Sequence, residues 1–409
     1  MSGPFFRLAI LLTAAVGAQA AAQAPSIIFN TSFEGASLGR VEKLGETEFR
    51  CHVQGQHDER GRNRQATWYY FRMDRVGGRE ITLTLTDLVG EYNDRPGAVS
   101  MNADTVPVFS ADGRQWRHFP TMQWNDTAKE ATLRFRPETD TVWIAHIPPY
   151  TPRDLRLLLD DVGRSPDARV EVIGKTVQGR DLHLVTVTDP GTPDDGKKLL
   201  WLQARQHAWE AGTSQVLDGA LRFITSDDER ARELRRRIVF KLQPMGDPDG
   251  CATGKVRFNA HGYDVNPHWD KVDLRGKEYL EKMPEIWYVK KAVYGQAASG
   301  RPIDLMVNLH NTETAEYIDT LADDAASRAL VQRFFKGLTE RTRFDPSREP
   351  TFAAGSGSTN SLYRERKIPV LLMELRIGTS KKLGRRPTVE DRLAFGRELI
   401  QEMARAVLE

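Results

Sequence analysis

Two histidines lie where predicted strands end, and both could hold a metal ion. His207 follows the apolar run at residues 199–204 and precedes Glu210 by three positions, which gives an H-x-x-E spacing. His310 ends a second apolar run at residues 305–309. Open α/β sheets bind ligands at the carboxyl ends of their strands, and two imidazoles with one carboxylate suit a catalytic zinc ion that keeps a position open for water. An H-x-x-E spacing also arises by chance, so a hydrogen-bonded core histidine is the alternative for His207.

A carboxylate ends a third apolar run. Residues 370–373 are apolar, and Glu374 follows them directly. A charged group at the end of a buried strand costs free energy unless it is paired with an opposite charge or used in a reaction. Glu374 therefore either forms an ion pair, for example with Arg376, or acts as a general base.

These runs belong to a region with an α/β pattern. From residue 161 to 409, strand-like runs alternate with helical patterns, which predicts an α/β domain with a mixed, mostly parallel sheet flanked by helices. The clearest predicted helix covers residues 389–407, where apolar residues form one stripe and Thr388 provides the N-cap. Further helices are predicted at 210–225, 284–294 and 325–342.

The preceding region is predicted to be an all-β domain. Between residues 25 and 160, short runs alternate apolar and polar residues with a period of two, as at residues 80–86, and glycine and proline pairs separate them. Short strands at this spacing indicate a β-sandwich. Cys51 and Cys251 fall in different predicted domains, and the fold does not depend on a disulfide between them.

The first 24 residues contain a targeting pattern. Arg7 is their only charge, a mostly apolar run follows at residues 8–16, and small residues surround Ala20 and Ala22. The pattern predicts a signal peptide cleaved near one of these alanines, and therefore an exported protein, periplasmic or secreted. The run is too short for a permanent membrane span, so none is expected after cleavage, and an uncleaved N-terminal anchor is the alternative.

The composition of the 409-residue chain is that of a globular protein. Hydrophobic residues make up 40% and charged residues 28%, which excludes a disordered or collagen-like chain. With 58 basic and 56 acidic side chains, the formal charge of +2 argues against dedicated nucleic-acid binding, so no nucleic-acid partner is expected. The sequence contains no feature that indicates an oligomeric state.

Several short motifs follow one another along the chain: H-x-x-E at 207–210, P-D-G at 248–250, Arg257, G-Y-D-x-N at 262–266, His310 and Glu374. In this order and spacing they resemble the zinc metallocarboxypeptidases, the carboxypeptidase A superfamily. The resemblance is closest to the cytosolic-carboxypeptidase-like branch, whose N-terminal sandwich is similar to the segments at 32–35, 68–72 and 147–151 and to the region of Trp116. Each motif alone is weak, and their combined order is specific.

The resemblance implies roles for six residues. One zinc ion per chain would be bound by His207, Glu210 and His310. Glu374 corresponds to the general base, which takes a proton from a zinc-activated water and passes it to the leaving amine. Arg257 corresponds to the arginine that stabilises the oxyanion. Asn266 corresponds to the asparagine that helps to hold the terminal carboxylate of a peptide substrate.

The position after Asn266 departs from the family pattern. Pro267 stands where the family usually has an arginine that clamps the substrate carboxylate, and proline has neither a charge nor an N–H donor. Either Arg376 or Arg301 supplies the missing cation, or the substrate does not end in a free α-carboxylate.

Two more positions differ from the family. Phe352 takes the place of a tyrosine over the substrate and keeps the ring without its hydroxyl, so we expect Phe352 to contact the substrate. Asn308 stands where an aspartate is common in this branch.

These observations predict an exported zinc-dependent metallocarboxypeptidase that hydrolyses a peptide or peptide-like amide bond. One alternative is a cell-wall peptide amidase with the same zinc mechanism, which the cleavage of cell-wall peptides would distinguish. A second is an inactive scaffold that binds peptide or glycan in the cleft. One tightly bound zinc ion per chain would favour the enzyme over the scaffold.

Overall fold

A computed structural model describes residues 25–99, 101–353 and 357–409. The signal peptide predicted for residues 1–24 lies outside these described residues.

No helix within the described part of the chain combines the length and the hydrophobicity needed to cross a membrane.

The N-terminal part is a sandwich of two five-stranded sheets. Its strands are β1 (Ile28–Asn30), β2 (Val41–Lys43), β3 (Glu48–His52), β4 (Tyr70–Asp74), β5 (Ile81–Thr86), β6 (Val89–Tyr92), β7 (Arg95–Val99), β8 (Val108–Ser110), β9 (Arg117–His118), β10 (Gln123–Asn125), β11 (Glu130–Phe135) and β12 (Thr141–Ala145). The sheet orders are β1-β4-β12-β8-β9 and β10-β11-β5-β3-β2, and β6 and β7 form a separate hairpin. In β5, Ile81, Leu83 and Leu85 are buried in the sandwich core and alternate with threonines, which explains the period of two in the sequence.

The rest of the chain is built on one eight-stranded sheet. Its strands are β13 (Ala168–Lys175), β14 (Asp181–Val187), β15 (Lys198–Ala204), β16 (Ile238–Gln243), β17 (Leu305–Thr312), β18 (Tyr317–Thr320), β19 (Thr351–Phe352) and β20 (Val370–Arg376). The helices are α1 (Pro152–Val162), α2 (Ala211–Ile224), α3 (Glu229–Arg237), α4 (Pro248–Thr253), α5 (Glu278–Lys282), α6 (Pro284–Ala298), α7 (Ala325–Arg341), α8 (Ser358–Arg366) and α9 (Val389–Leu408).

The sheet is mixed and its centre is parallel. The strand order is β13-β14-β16-β15-β17-β20-β18-β19. Four of the seven neighbouring pairs are parallel, and they include the central run β16-β15-β17-β20. The predicted fold class, a mostly parallel mixed sheet flanked by helices and preceded by a β-sandwich, is confirmed.

Both faces of the sheet are covered, which explains why its strands are apolar throughout. In β15, Leu200 and Leu202 pack into a core that also contains residues of α2, α7 and α9, whereas Leu199 and Trp201 pack into a second core that contains residues of α6. A strand buried on both faces has no polar face, so it appears as a continuous apolar run.

The four helices predicted in this region are present as α2, α6, α7 and α9. Thr388 caps α9, and the side chain of Asp391 accepts a hydrogen bond from the backbone N–H of Thr388, so that the pair forms a capping box. The buried face of α9 is wider than the predicted stripe, because Phe395, Gly396 and Leu399 are also buried. That wide face packs against α2.

The contact between α2 and α9 depends on two glycines. A Cβ atom at Gly219 would lie 1.9 Å from the carbonyl oxygen of Leu393, and one at Gly396 would lie 1.8 Å from that of Val216. Both oxygens belong to helix backbone, so neither can move aside cheaply. The two helices can approach this closely only because both positions lack a side chain.

We therefore expect Gly219→Ala to lower the free energy of unfolding by about 3 kcal/mol, since an overpacked helix contact forces the backbones apart. Gly295→Ala is the matched control, because Gly295 is also helical and a Cβ there meets nothing within 4 Å. Its effect should be neutral or stabilising by up to about 1 kcal/mol. Urea unfolding measures both variants, and equal midpoints would contradict the expectation.

The sandwich and the α/β part share a continuous core. Trp68 and Tyr70 of the sandwich belong to the same buried cluster as the α2 face of the large sheet. Helix α1 spans position 160, and its buried residues also belong to this cluster. The predicted boundary between residues 160 and 161 stays a prediction. Cys51 and Cys251 are both buried free thiols.

One histidine in this shared core should make stability depend on pH. His146 is 1% exposed, and neither ring nitrogen makes a hydrogen bond. Burial, together with the nearby Arg392 guanidinium, lowers the pKa of His146 to about 3. An unfolded histidine has a pKa of about 6.5, so protonation favours the unfolded chain. The contribution to stability is complete above pH ~6.5 and declines as the pH falls toward 3.

Below pH ~6.5 we expect His146 to cost the wild-type protein up to about 1.4 kcal/mol of unfolding free energy per pH unit. The variant His146→Leu has a side chain of similar volume and cannot take up the proton. The stability of the variant relative to wild type should therefore rise steadily as the pH falls. Urea unfolding between pH 4.5 and 7.5, with chelator in every sample, measures this difference. A difference that does not change with pH would contradict the expectation.

Candidate functional site

The loop after β15 is held in a strained conformation that presents His207. Arg205 has φ = 61°, in the left-handed region that non-glycine residues rarely adopt. Its guanidinium is buried and donates from Nε to the Ala208 carbonyl, at 2.7 Å, and from Nη1 to the Tyr150 carbonyl, at 3.1 Å. These bonds offset the strain and fix the turn that carries His207.

His207, Glu210 and His310 meet at the carboxyl edge of the sheet. Glu210 is the residue directly before α2, and His310 lies near the end of β17, the strand next to β15. Nδ1 of His207 lies 2.7 Å from Glu210 Oε1, and Nδ1 of His310 lies 3.1 Å from Glu210 Oε2. One ligand atom from each residue lies within 4.8 Å of the others, and all three residues are buried.

The outer nitrogen of each imidazole has its own partner. Nε2 of His207 lies 3.2 Å from the Asp264 carboxylate, and Nε2 of His310 lies 3.1 Å from the Asn308 side-chain amide. The Asn308 amide in turn donates to Gln206 Oε1, at 2.6 Å. A carboxylate partner of this kind orients a metal-binding histidine, so the His207 ring is set to direct Nδ1 toward Glu210.

The electrostatics of the cluster favour a cation. Burial opposes the charge on Glu210, but the two imidazoles outweigh it and hold the pKa of this carboxyl below its usual range. Glu210 is buried, and each of its oxygens lies near a histidine Nδ1. A buried carboxylate between two Nδ1 atoms fits the ligand set of zinc. The predicted cofactor, zinc, is thus supported by the donor set.

Glu374 lies beside this cluster on the next strand. The strands β17 and β20 are parallel, with His310 and Glu374 in register. Glu374 Oε2 is buried and has no hydrogen-bond partner. Burial, followed by the negative charge of Glu210, raises the pKa of the Glu374 carboxyl well above its usual value. The Glu374 carboxyl thus has an unpartnered oxygen beside the His-Glu-His cluster.

Arg257 is joined to the cluster through Asp264. The Arg257 Nε donates to Asp264 Oδ2, at 2.6 Å, while the other oxygen of the same carboxylate faces His207. The guanidinium also lies over the ring of Tyr92, with 5.3 Å between Cζ and the ring centroid. Asp264 therefore links a metal-binding histidine to the predicted oxyanion-binding arginine.

A cleft of about 440 Å³ opens beside Arg257. It lies between the sandwich and the α/β part, and its lining includes Tyr92, Asp264, Pro267 and Lys271. Asn266 borders this region, and its Oδ1 is buried without a hydrogen-bond partner. The prediction that Asn266 contacts the substrate stays a prediction, with a free acceptor next to the cleft.

The other residues expected at the substrate have structural contacts. Arg376 is buried, and its Nη2 donates to the Asp345 carbonyl, at 2.6 Å. Arg301 pairs with Asp194, at 2.9 Å, before β17 begins and thus at the opposite end of that strand from His310. Phe352 lies in the short strand β19, with the Arg328 guanidinium 4.3 Å from its ring centroid. Their roles in substrate binding stay predictions.

Sequence reasoning gave no role to three side chains near the site. Asp264 was part of a motif, but its contacts to His207 and Arg257 depend on the folded loop. Tyr92 comes from the β6–β7 hairpin of the sandwich. Tyr317 is the register partner of Glu374 on the antiparallel strand β18, and burial followed by the charge of Glu374 raises the pKa of its hydroxyl. Nothing in the sequence around either tyrosine signals this proximity.

The fold and the cluster together define a candidate metal centre of the two-histidine, one-glutamate type. The family model described as zinc carboxypeptidase matches residues 157–318. The model described as the cytosolic carboxypeptidase N-terminal domain matches residues 29–147. The chain therefore contains a zinc carboxypeptidase domain preceded by a domain of the cytosolic carboxypeptidase N-terminal type.

Individual proteins agree with this assignment. Mouse Cytosolic carboxypeptidase 3 is 26% identical over 353 residues, which cover 78% of this chain and 32% of that protein. Cytosolic carboxypeptidase 6 of Caenorhabditis elegans is 28% identical over 255 residues, 60% of this chain and 54% of its own length. A crystal structure of a metallo-carboxypeptidase from Burkholderia cenocepacia has the same fold, with a TM-score of 0.81, 21% identity, and coverage of 94% of this chain and 99% of that one. The chain thus spans about a third of the length of its mouse relative.

The comparisons contradict the prediction of export. The curated relatives are cytosolic carboxypeptidases, and the N-terminal domain model is the one found in that group. The prediction was wrong because it depended on the composition of residues 1–24 alone, and a short apolar run followed by alanines is not specific to targeting. The cell-wall amidase alternative depended on export and is withdrawn with it.

Proposed function

We propose that the chain is a zinc-dependent carboxypeptidase that hydrolyses peptide or peptide-like amide bonds in the cytosol. The observation that supports this most strongly is the placement of Glu374. A proton acceptor without a hydrogen-bond partner lies in register with His310 and beside a His-Glu-His cluster. A purely structural metal site has no need of such a carboxylate.

The side chains at the site have different roles in the proposed reaction. His207, Glu210 and His310 hold the zinc ion, which when bound polarises a carbonyl and lowers the pKa of water. Glu374 accepts a proton at Oε2 from the attacking water and returns it to the nitrogen of the leaving amine. Burial raises the pKa of the Glu374 carboxyl, which makes its carboxylate a stronger base.

Arg257 supplies the positive charge for the developing oxyanion. Its hydrogen bond to Asp264 uses Nε, which leaves the two terminal nitrogens for other acceptors. A guanidinium stays charged at any working pH and presents its donors in a fixed plane, so it stabilises an oxyanion without first having to gain a proton.

The end of the substrate is held within the same cleft. Asn266 lies next to Pro267 of the cleft lining, and Arg60, Arg257 and Lys271 are basic side chains that line the cleft. These cations, placed beside a substrate carboxylate, would compensate for the missing clamp arginine. This favours exopeptidase action on a free C-terminus.

The test uses purified protein, loaded with one equivalent of zinc, and paired peptides of identical sequence. One peptide has a free C-terminus, the second is C-terminally amidated, and an internal-bond substrate is the third. We expect release of the last residue from the free acid, weak action on the amide, and loss of both with chelator. Activity that persists without zinc would defeat the proposal, and cleavage of internal bonds alone would replace the exopeptidase assignment. Tight zinc binding without any hydrolysis would favour the inactive scaffold.

A further inference from the structure

One side chain of the sandwich is hydrogen-bonded to the backbone on both sides of Arg257. Gln56 Oε1 accepts three backbone N–H groups, from Val256 at 2.9 Å, Arg257 at 2.8 Å and Phe258 at 3.0 Å. Its Nε2 donates to the Phe258 carbonyl, at 2.6 Å. Gln56 therefore fixes the position and the direction of the chain at Arg257.

Gln56 is itself held rigidly. Its backbone N–H and carbonyl pair with those of Gln65, both at 2.7 Å, and its side chain is 9% exposed. Three N–H groups share one oxygen, so losing the oxygen would leave several donors without a partner in a buried setting, which is costly. The contact is thus a fixed attachment between the sandwich and the segment at 256–258.

The same segment is bonded to the metal-binding loop. The Trp209 N–H donates to the Val256 carbonyl, at 2.9 Å, and Trp209 lies between the ligands His207 and Glu210. Gln56, Val256 and Trp209 therefore form a continuous chain of hydrogen bonds from the sandwich to the zinc-binding turn. The distance between the Arg257 backbone and the metal ligands is set by this chain.

Residues 257–264 form a short hairpin, and a second contact from the sandwich holds it at the tip. Phe258 and Asp264 pair across it, and at its tip the Glu59 N–H of the sandwich donates to the Gly262 carbonyl, at 3.0 Å. Gly262 has φ = +84°, and a Cβ there would lie 2.5 Å from the Glu59 nitrogen. The sandwich therefore contacts the hairpin at its base and at its tip, while Arg257 and Asp264 lie at the base.

We propose that Gln56 is a positioning residue for Arg257, and that through it the sandwich domain forms part of the catalytic site rather than a separate module. The inference rests on the proposed function, in which Arg257 stabilises the oxyanion. A guanidinium displaced by about 1 Å loses much of its effect on a transition state. Removing the Gln56 amide should therefore lower kcat more than it changes KM.

The main test compares Gln56→Met with wild type in the full zinc-loaded chain. Methionine keeps the length of the side chain and removes all four hydrogen bonds. We expect kcat to fall about 10-fold to 100-fold, with zinc content unchanged. Gln215→Met is the matched control, because it makes the same chemical change in a buried glutamine whose Nε2 donates to the Pro148 carbonyl, at 2.9 Å, and does not touch the 256–258 segment. Its kcat should stay at the wild-type level.

A double-mutant cycle separates positioning from general destabilisation. If Gln56 acts through Arg257, then Gln56→Met should have little further effect in an Arg257→Met background, within about twofold. Hydrogen exchange of the amides at 256–258 should accelerate in Gln56→Met and not in Gln215→Met. Independent, multiplicative losses in the double variant would overturn the positioning role.

The failure of this inference can be told apart from failure of the proposed function. A wild-type protein that hydrolyses no peptide would overturn both. An active wild type with an unchanged kcat in Gln56→Met would overturn the positioning role alone, even if the exchange at 256–258 had accelerated, because Gln56 would then serve only to hold the two parts of the fold together.

Discussion

Glu374→Gln should lower kcat by about 10³-fold while the zinc content and KM remain close to those of wild type. Glutamine has the same shape and can still accept a hydrogen bond, but it cannot take up the proton of the attacking water. Glu374 is not among the three residues whose ligand atoms cluster within 4.8 Å. The loss should therefore fall on the chemical step and not on metal binding.

The experiment measures initial rates on the free-acid peptide together with the metal content of each preparation. Glu398→Gln is the matched control, since it makes the same chemical change in a carboxylate that pairs with Arg343 on the α7–α9 side of the fold. A variant Glu374→Gln that keeps the full rate would show that some other group accepts the proton. A variant that loses its zinc would instead make Glu374 a ligand.

The grouping of His207, His310 and Glu374 could be predicted from the sequence, because each lies at or just after the end of a strand. Each of the apolar runs before His207, His310 and Glu374 is a strand buried on both faces, and such runs are recognisable without knowledge of the partners. Once these strands are parallel neighbours in the order β15-β17-β20, their carboxyl ends must lie together. Three local patterns therefore determine one spatial cluster.

The surroundings of the site could not be predicted in the same way. Gln56 and Val256 are 200 positions apart, and Tyr92 reaches Arg257 from a hairpin of the other domain. Such contacts depend on how two domains pack, and no periodicity or spacing encodes that. Arg376 lies two positions after Glu374, and the sequence predicted that it contacts the substrate. Its side chain is buried and donates a hydrogen bond to the loop at Asp345, a contact that the sequence pattern does not encode.

The residues of the candidate site therefore come from two parts of the fold. His310 and Glu374 come from neighbouring strands, where register fixes them to one another, and His207 and Glu210 come from the turn between β15 and α2. The arginine comes from a hairpin whose position is set by the sandwich through Gln56 and Glu59. Substitutions in the sheet should therefore affect metal binding or proton transfer, whereas substitutions at the sandwich surface should affect oxyanion stabilisation with the zinc still in place.

His310→Ala is the substitution that should separate metal binding from proton transfer most clearly. Loss of an outer partner of a metal ligand typically weakens metal affinity about 10-fold to 100-fold, so loss of a ligand should weaken zinc binding by at least about 100-fold. Binding to the folded state alone adds about 4.1 kcal/mol of stability when the metal is present at 1,000 times its dissociation constant. At that zinc concentration the variant should gain at least about 2.7 kcal/mol less than wild type, because a 100-fold loss of affinity corresponds to that difference.

Thermal unfolding with and without zinc measures this gain, and His183→Ala on β14 controls for the loss of an imidazole outside the cluster. The control should keep the full zinc-dependent stabilisation, and Glu374→Gln should keep it as well, although we expect Glu374→Gln to lose most of its activity. If zinc stabilised His310→Ala as much as wild type, the cation would have to bind elsewhere. The carboxylate of Glu374 would then face no activated water, and its position beside His310 would need another explanation.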